Sequence, residues 1–354
     1  MKLSSFSARS RGYSLIELMV ALTIGLIILG AVSTLFVGSK KGYTTQDRLA
    51  RLQENARFAM QFIIKDMRLA GYYGCVDDIN EQTLNNTLSG ASGFAYNASS
   101  PIEGFDSATA IWYPSGVTTT PSGKIADTDM MMVRMADPSL AINVSKEMPN
   151  DSAEIEISSV SGFSEGDIIV ISDCSSADIM QITNVQTAAG KLQHAPGGAD
   201  TTKNPPWPGN STQKLSKAYG TSGSMVMKFV SRQYYIGTGA SGNPALFRAE
   251  NSGSGMELVD GIERLEFLFG KDTDSDNTPN IYLRAGATGL QSTVDWSSIV
   301  SVRIGILART LTQEDTDTNS SSYDVDGDGT DDFTAPGDRH KRRAFTATVH
   351  MRNL

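Results

Sequence analysis

Residues 11–37 read RGYSLIELMVALTIGLIILGAVSTLFV, and no side chain from residue 18 to residue 37 carries a formal charge. About twenty apolar residues are the length that a helix needs to cross the hydrocarbon core of a membrane. A secretory signal peptide would place a cleavage site of small residues after its apolar run, whereas this run passes directly into further helical sequence. The stretch therefore predicts a membrane helix that stays in the protein.

The residues after the apolar run predict a second, amphipathic half of the same helix. Six apolar residues recur at steps of three and four, as one face of a helix requires: Leu49, Leu52, Ala56, Ala59, Ile63 and Met67. Charged residues fall between them, and no proline occurs before Pro101. The pattern predicts one helix from about residue 14 to about residue 70, ended by the glycines of segment 71–74.

Glu17 is an unusual residue for the start of such a helix. An ionisable side chain at the edge of a membrane segment is energetically costly, and by default it indicates a functional role with a charged partner. The alternative is an interfacial acid whose carboxylate reaches the polar headgroups.

The sequence around Glu17, residues 11–21, resembles the class III leader of type IV prepilins, which is a long and specific motif. The resemblance implies that a prepilin peptidase cleaves between Gly12 and Tyr13 and that the new amino group of Tyr13 is methylated. It also implies that Glu17 pairs with the positive amino terminus of a neighbouring subunit, which compensates both charges in lipid or filament core. Tyr13 departs from the phenylalanine usual in the family, and the absence of a mid-helix proline favours a minor pilin.

Residues 49–59 and 66–75 resemble the PilW family of minor pilins, and residues 172–178 and 343–353 do so more weakly. This resemblance implies a protein that initiates type IV pilus assembly with other minor pilins and the major pilin, and that sits at the pilus tip. Its helix would cross the inner membrane once, its head would lie in the periplasm before assembly, and a large tip adhesin would be a further partner. Two alternatives stay open: a pseudopilin of type II secretion, and a tip adhesin or binding module.

After residue 75 the helical period disappears, and short apolar runs alternate with small polar residues and glycine. This pattern predicts strands joined by turns. The candidate strands are residues 130–135, 154–158, 167–172, 225–236, 262–269, 300–308 and 344–351. Segments 83–122, 190–223 and 315–339 are poor in periodic apolar residues and predict long surface insertions or loops. The predicted fold class is α+β and pilin-like, with a long N-terminal helix packed on a β-rich head.

The predicted organisation has four parts: a leader peptide over residues 1–12, a transmembrane and filament-core helix over 13–38, its amphipathic continuation over 39–74, and the head over 75–354. The two cysteines, Cys75 and Cys174, allow one intramolecular pairing. A disulfide is the default in an exported head, and it would tie the helix end to the head. Two free, buried thiols are the alternative.

Residues 324–332 read DVDGDGTDD, with acids at loop positions one, three, five and nine and glycine at position six. This matches most of a calcium loop, whose cation takes oxygen ligands. The predicted ligands are Asp324, Asp326, Asp328, the Thr330 carbonyl and Asp332. Position twelve is alanine instead of glutamate, so water or a carboxylate such as that of residue 338 would complete the shell. A solvated acidic turn is the alternative, and it is the favoured interpretation for the similar run at 272–276, which lacks the loop glycine.

The charge and the histidine content exclude other classes of function. The formal net charge is −9, and loss of the basic leader takes it to about −12, which argues against a nucleic-acid partner. The chain has three histidines and lacks a nucleophile elbow, a zinc motif and a phosphate-binding loop. The sequence therefore predicts a protein that is not an enzyme.

Overall fold

The computed structural model describes residues 12–76, 82–89, 94–313 and 317–352. The chain divides into two compact units, Met1–Arg51 and Leu52–Leu354. Helix α1, Leu15–Met67, begins in the first unit and ends in the second. One long helix followed by strands confirms the predicted α+β, pilin-like fold class. Of the predicted leader, Gly12 alone falls within the described residues.

The head is built from short and medium strands. Its strands are β1 (Leu84–Asn86), β2 (Ile102–Asp106), β3 (Ile111–Tyr113), β4 (Met130–Asn143), β5 (Ile155–Glu156), β6 (Ile168–Ser172), β7 (Ala177–Gln181), β8 (Asn184–Gln186), β9 (Lys191–Gln193), β10 (Met225–Thr238), β11 (Pro244–Glu250), β12 (Met256–Asp260), β13 (Ile262–Lys271), β14 (Ile281–Leu283), β15 (Ile299–Arg309), β16 (Ser322–Tyr323), β17 (Phe333–Thr334) and β18 (Arg342–His350). A 3₁₀ turn, Thr187–Ala189, and a short helix α2, Thr293–Trp296, lie between strands.

Two sheets dominate the described part of the head. The larger runs in the order β1-β7-β6-β10-β4-β2-β3, with β11 and β12 added beside β10. The smaller runs β14-β13-β15-β18. β1 and β7 are parallel, whereas β13, β15 and β18 pair antiparallel. Two minor sheets, β5-β9-β8 and β16-β17, are formed by strands that lie in sequence between strands of the larger and the smaller sheet, respectively.

The core of the second unit forms around the amphipathic half of α1. The predicted apolar stripe is buried from residue 52 onward, at Leu52, Ala56, Ala59, Ile63 and Met67, whereas Leu49 at its start is 37% exposed. The stripe joins one hydrophobic cluster with side chains of both sheets, including Met131, Tyr234, Phe267 and Ile304. Each fully buried side chain of this kind contributes about 1.5–3 kcal/mol relative to an exposed one. Apolar burial is therefore the main force that docks this half of α1 on the head.

The prediction that segment 83–122 is a surface loop is wrong. β2 and β3 lie in this segment and β2 pairs with β4, while Trp112 is fully buried. The apolar pattern of β2 is interrupted by Glu103, whose carboxylate lies 2.8 Å from the guanidinium of Arg134 on β4 with both side chains fully buried. Glu103 makes the local sequence polar although the strand lies inside the sheet. The strand tolerates this residue because Arg134, which is distant in sequence, neutralises its charge.

Segment 190–223 is likewise more than a surface loop. It contains β9, and its Leu215 and Tyr219 are buried. Asn210 holds the segment against β7, since its amide donates to the Gln181 carbonyl at 2.8 Å and its oxygen accepts from the Gln181 N–H at 2.7 Å. Here polar side chains form the hydrogen bonds that the backbone groups need. Such residues leave no apolar periodicity in the sequence.

Candidate functional site

Ser14 and Glu17 form a reciprocal cap at the start of α1. The Ser14 N–H donates to Glu17 Oε2 at 3.0 Å, and the Glu17 N–H donates to Ser14 Oγ at 3.2 Å. This capping box satisfies two backbone N–H groups that the first turn of a helix leaves without partners. Tyr13, directly before it, is 88% exposed. Sequence reasoning misses Ser14, although Ser-x-x-Glu before an apolar run is the signal for this cap.

The first half of α1 presents a continuous apolar surface. The large apolar side chains between Leu15 and Val37 are 52–77% exposed. By length and composition, this helix alone among the described residues could cross a membrane. Monomeric soluble proteins rarely leave an apolar patch of this extent in water. The segment therefore requires lipid or neighbouring helices around it.

Cys75 and Cys174 form a disulfide, with their Cα atoms 4.6 Å apart. The pairing predicted from the two cysteines is thus present in the structure. It joins the segment that follows α1 to the turn between β6 and β7 across a sequence separation of 99 residues. The end of the helix is therefore attached covalently to the head.

A buried ionic network also holds α1 on the head. Asp66, near the end of α1, is 1% exposed, and its carboxylate lies 2.8 Å from Arg232 Nη1 and accepts a hydrogen bond from the Tyr234 hydroxyl. Arg232 also contacts Asp137 at 3.1 Å and Glu250 at 2.9 Å. Burial opposes the charge of Arg232, yet Asp66 and Glu250 raise its pKa above the ordinary value. Burial and the charge of Asp66 raise the pKa of Tyr234.

The predicted calcium loop folds into a compact acidic cluster. Carboxylate oxygens of Asp324, Asp326 and Asp332 lie within 4.8 Å of one another. Asp328 stands outside this group and its Oδ1 accepts from the Thr330 N–H at 2.7 Å. The structure thus brings together three of the five predicted ligands, and their role in binding a cation stays a prediction.

Arg284, which follows β14, lies inside the acidic cluster. Its Nη2 is 2.7 Å from Asp326 Oδ2 and also contacts carboxylate oxygens of Asp332 and Asp328. Burial raises the pKa of Asp326 to about 6, against the opposing charge of Arg284 and with a further rise from Asp332. Sequence reasoning misses Arg284 because it lies forty residues before the loop and belongs to no local motif.

A pair of buried carboxyl groups lies beside Arg284. Glu266 Oε2 is 4.0 Å from Arg284 Nη1, and burial together with the neighbouring Asp129 raises the pKa of Glu266 well above its ordinary value. Burial also raises the pKa of Asp129, which accepts backbone N–H bonds from Ser107 and Phe267. Burial therefore favours the protonated form of both carboxyl groups in the folded protein.

Two segments of the chain match known families. Residues 7–33 match the family described as the prokaryotic N-terminal methylation motif. Residues 233–353 match the family described as type IV pilus-assembly protein W. Over these two segments the chain is similar to PilW-like pilins. No curated protein and no solved structure gives a significant match.

The two matches include the capped start of α1 and the acidic cluster, but neither includes Asp66, Cys75 or Cys174. The methylation motif includes the capped start of α1, and the pilus-assembly match extends from within β10 through β18, including Arg284 and the acidic cluster. The match to the pilus-assembly family supports a pilin-like protein in pilus assembly, and the methylation motif implies processing by a prepilin peptidase. The motif and the apolar half of α1 indicate anchoring in a membrane.

Proposed function

We propose that this PilW-like protein is a minor pilin that initiates type IV pilus assembly with other minor pilins and stays at the pilus tip. Cleavage between Gly12 and Tyr13 and methylation of Tyr13 precede assembly. The observation that carries the proposal is one helix with two roles. Its exposed apolar half suits a membrane and then a filament core, while its second half is fixed to the head by apolar burial, the Asp66 network and the disulfide.

Glu17 is the residue on which assembly is expected to depend. Its Oε2 accepts from the Ser14 N–H within the chain, which leaves Oε1 available to a neighbouring subunit. After cleavage, the amino group of Tyr13 carries a positive charge four residues away in sequence. In lipid or in a filament core neither charge is stable alone, so pairing between neighbouring subunits favours ordered insertion.

The size of the head supports a position at the end of the filament. Subunits along a filament repeat one set of head-to-tail contacts, so each head must fit between neighbours above and below. The predicted head extends from residue 75 to residue 354. A subunit with so large a head is accommodated most easily at an end, where neighbours lie on one side.

Glu17 variants in the source organism test the proposal. Glu17→Gln and Glu17→Ala are expected to abolish surface pili in electron micrographs and to reduce chemical cross-linking to other minor pilins. Glu54→Gln, an exposed acid on the second half of α1, is the matched control and should leave both unchanged. Normal piliation and cross-linking in both Glu17 variants would refute the proposal. Lost protein secretion with normal pili would establish the pseudopilin function instead.

Antibodies against the head test the position at the tip. Gold-labelled antibody is expected at one end of sheared pili. The tip assignment would be contradicted by label spread along the filament or by the absence of label from pili. The role in initiation is tested separately, by the Glu17 variants.

A further inference from the structure

The acidic loop is seated directly on the smaller sheet. Gly305 on β15 faces the backbone of the loop so closely that a Cβ at this position would overlap the Val325 carbonyl. Val325 and Asp326 are fully buried as a result. A flexible surface turn would leave its acids in water, whereas this loop carries one carboxylate into the protein interior.

The buried carboxylate of Asp326 is not fully satisfied by the described residues. Its Oδ1 accepts from the Asp328 N–H at 3.1 Å. Its Oδ2 is buried and accepts no aligned hydrogen bond in the described part of the chain, although Arg284 Nη2 lies 2.7 Å away. A buried charged oxygen without a well-directed partner is costly. One carboxylate oxygen of Asp326 lies within 4.8 Å of an oxygen of Asp324 and an oxygen of Asp332.

The loop carries more negative charge than its guanidinium can balance. Arg284 Nη2 contacts three carboxylates, those of Asp326, Asp328 and Asp332. The Arg303 guanidinium approaches the loop as well, but it donates to the Gly327 carbonyl at 3.0 Å and to no carboxylate of the loop among the described contacts. A second positive charge within the cluster would therefore be stabilised by several oxygens at once.

The spacing of the three grouped oxygens suits calcium. Calcium binds oxygen at about 2.3–2.6 Å, so two of its ligands can be at most about 4.6–5.2 Å apart. The oxygens of Asp324, Asp326 and Asp332 meet this limit. Calcium accepts irregular shells of six to eight oxygens, whereas magnesium demands a near-ideal octahedron and keeps several of its waters. A loop that offers carboxylates and backbone carbonyls is therefore expected to select calcium.

The second acidic run also brings three carboxylates within 4.8 Å of one another, those of Asp272, Asp274 and Asp276. It differs from the loop because, among the described residues, it has no buried carboxylate oxygen that lacks a hydrogen-bond partner. Asp272 accepts backbone N–H bonds from Asp274, Ser275 and Asn277, so both of its oxygens have partners. Asp274 and Asp276 are exposed to water. The prediction that this run is a solvated turn stays a prediction, and the run provides a matched control on the same head.

We propose that the loop binds one Ca²⁺ through Asp324, Asp326 and Asp332, and that Arg284 holds the place of the cation until it binds. The side chain of Arg284 is 40% exposed, so it can turn outward into water when the cation enters. Backbone carbonyls of the loop and water would complete the oxygen shell. The site lies within one chain and goes beyond the proposed function, since binding requires no pilus assembly.

Isothermal titration of the full-length protein in detergent micelles tests the site. Protein treated with EGTA and dialysed is titrated with CaCl₂, and one saturable site per chain is expected. Asp326→Asn should weaken binding at least tenfold, and Asp276→Asn should leave it within twofold of wild type. Arg284→Gln should bind calcium at least threefold more tightly, because the competing guanidinium is gone. Thermal melts in EGTA check that each variant is folded, and Asp324→Asn replaces Asp326→Asn if the latter is not.

Each alternative outcome overturns a stated part of the proposal. Absence of saturable binding at millimolar calcium in both wild type and Arg284→Gln would refute the site. Binding lost in Asp276→Asn and kept in Asp326→Asn would move it to the other acidic run. Calcium affinity unchanged or weakened in Arg284→Gln would refute the exchange. Magnesium binding as tight as calcium binding would refute the selectivity.

Discussion

Replacing Asp66 by asparagine tests whether a buried charge docks α1 on the head. Asp66 is 1% exposed, and its two carboxylate oxygens meet the Arg232 guanidinium at 2.8 Å and the Tyr234 hydroxyl. Asparagine has nearly the same shape, so the substitution removes the charge without opening a cavity. The change in stability therefore reports the electrostatic part of the contact.

The expected loss follows from the partners of Arg232. A hydrogen bond to a charged group contributes about 1.5–3 kcal/mol, and Asp66 takes part in two. Breaking a buried ion pair costs about 3–5 kcal/mol when the remaining charge is left alone. Arg232 is not left alone, because Asp137 and Glu250 stay at 3.1 and 2.9 Å. A loss of about 2–3 kcal/mol is expected near neutral pH.

Denaturant unfolding of the full-length protein in detergent micelles measures this loss. Glu250→Gln is the matched control, since it contacts the same guanidinium but its side chain is 42% exposed. An exposed ion pair contributes about 0–1 kcal/mol, so the control should be nearly neutral. Equal losses in the two variants, or a loss below about 1 kcal/mol for Asp66→Asn, would refute the argument that burial makes this contact strong.

Three further substitutions have direct readouts. Burial raises the pKa of the Glu266 carboxyl in the folded protein, so its protonated form stabilises the fold below the unfolded-state pKa of about 4.3, and this stability is lost as the pH rises toward the folded-state pKa. Glu266→Gln in calcium-free buffer should therefore raise the melting temperature more at about pH 8 than at about pH 5. The exposed Glu165→Gln should show no such trend. Cys75→Ser should cost at most about 4–5 kcal/mol in denaturant unfolding, and reductant should then destabilise wild type alone. Gly305→Ala should cost about 1–3 kcal/mol by overpacking the loop, whereas Gly220→Ala, whose Cβ meets nothing within 4 Å, should melt like wild type.

The long helix is predictable from sequence because its signals are local. A charge-free run and an apolar period of three and four define α1 without reference to any distant residue, and the structure follows them from Leu15 to Met67. β18 is predictable for the same reason. Phe345, Ala347 and Val349 alternate with exposed residues along it.

Strand β2 is not predictable in this way because its burial depends on a charged residue of another strand that is distant in sequence. Glu103 makes the local sequence polar, and the residue that neutralises it, Arg134, belongs to β4. The acidic cluster shows the same division. Its carboxylates lie within one short loop and can be found in the sequence. Arg284 lies beside them only because β14 pairs with β13 and β13 pairs with β15.

Glu103 and Asp326 are both buried carboxylates that lie beside a guanidinium. The difference between the two pairs explains why only Asp326 is expected to exchange its guanidinium for a cation. Glu103 and Arg134 are both fully buried and lie 2.8 Å apart as a one-to-one pair, so neither can leave without stranding the other. Arg284 is 40% exposed, and besides Asp326 it is shared with two further carboxylates of the loop. When it turns outward into water the guanidinium regains hydration, while a divalent cation brings twice the charge to the same oxygens. Exchange is therefore favourable at the loop and unfavourable at β2.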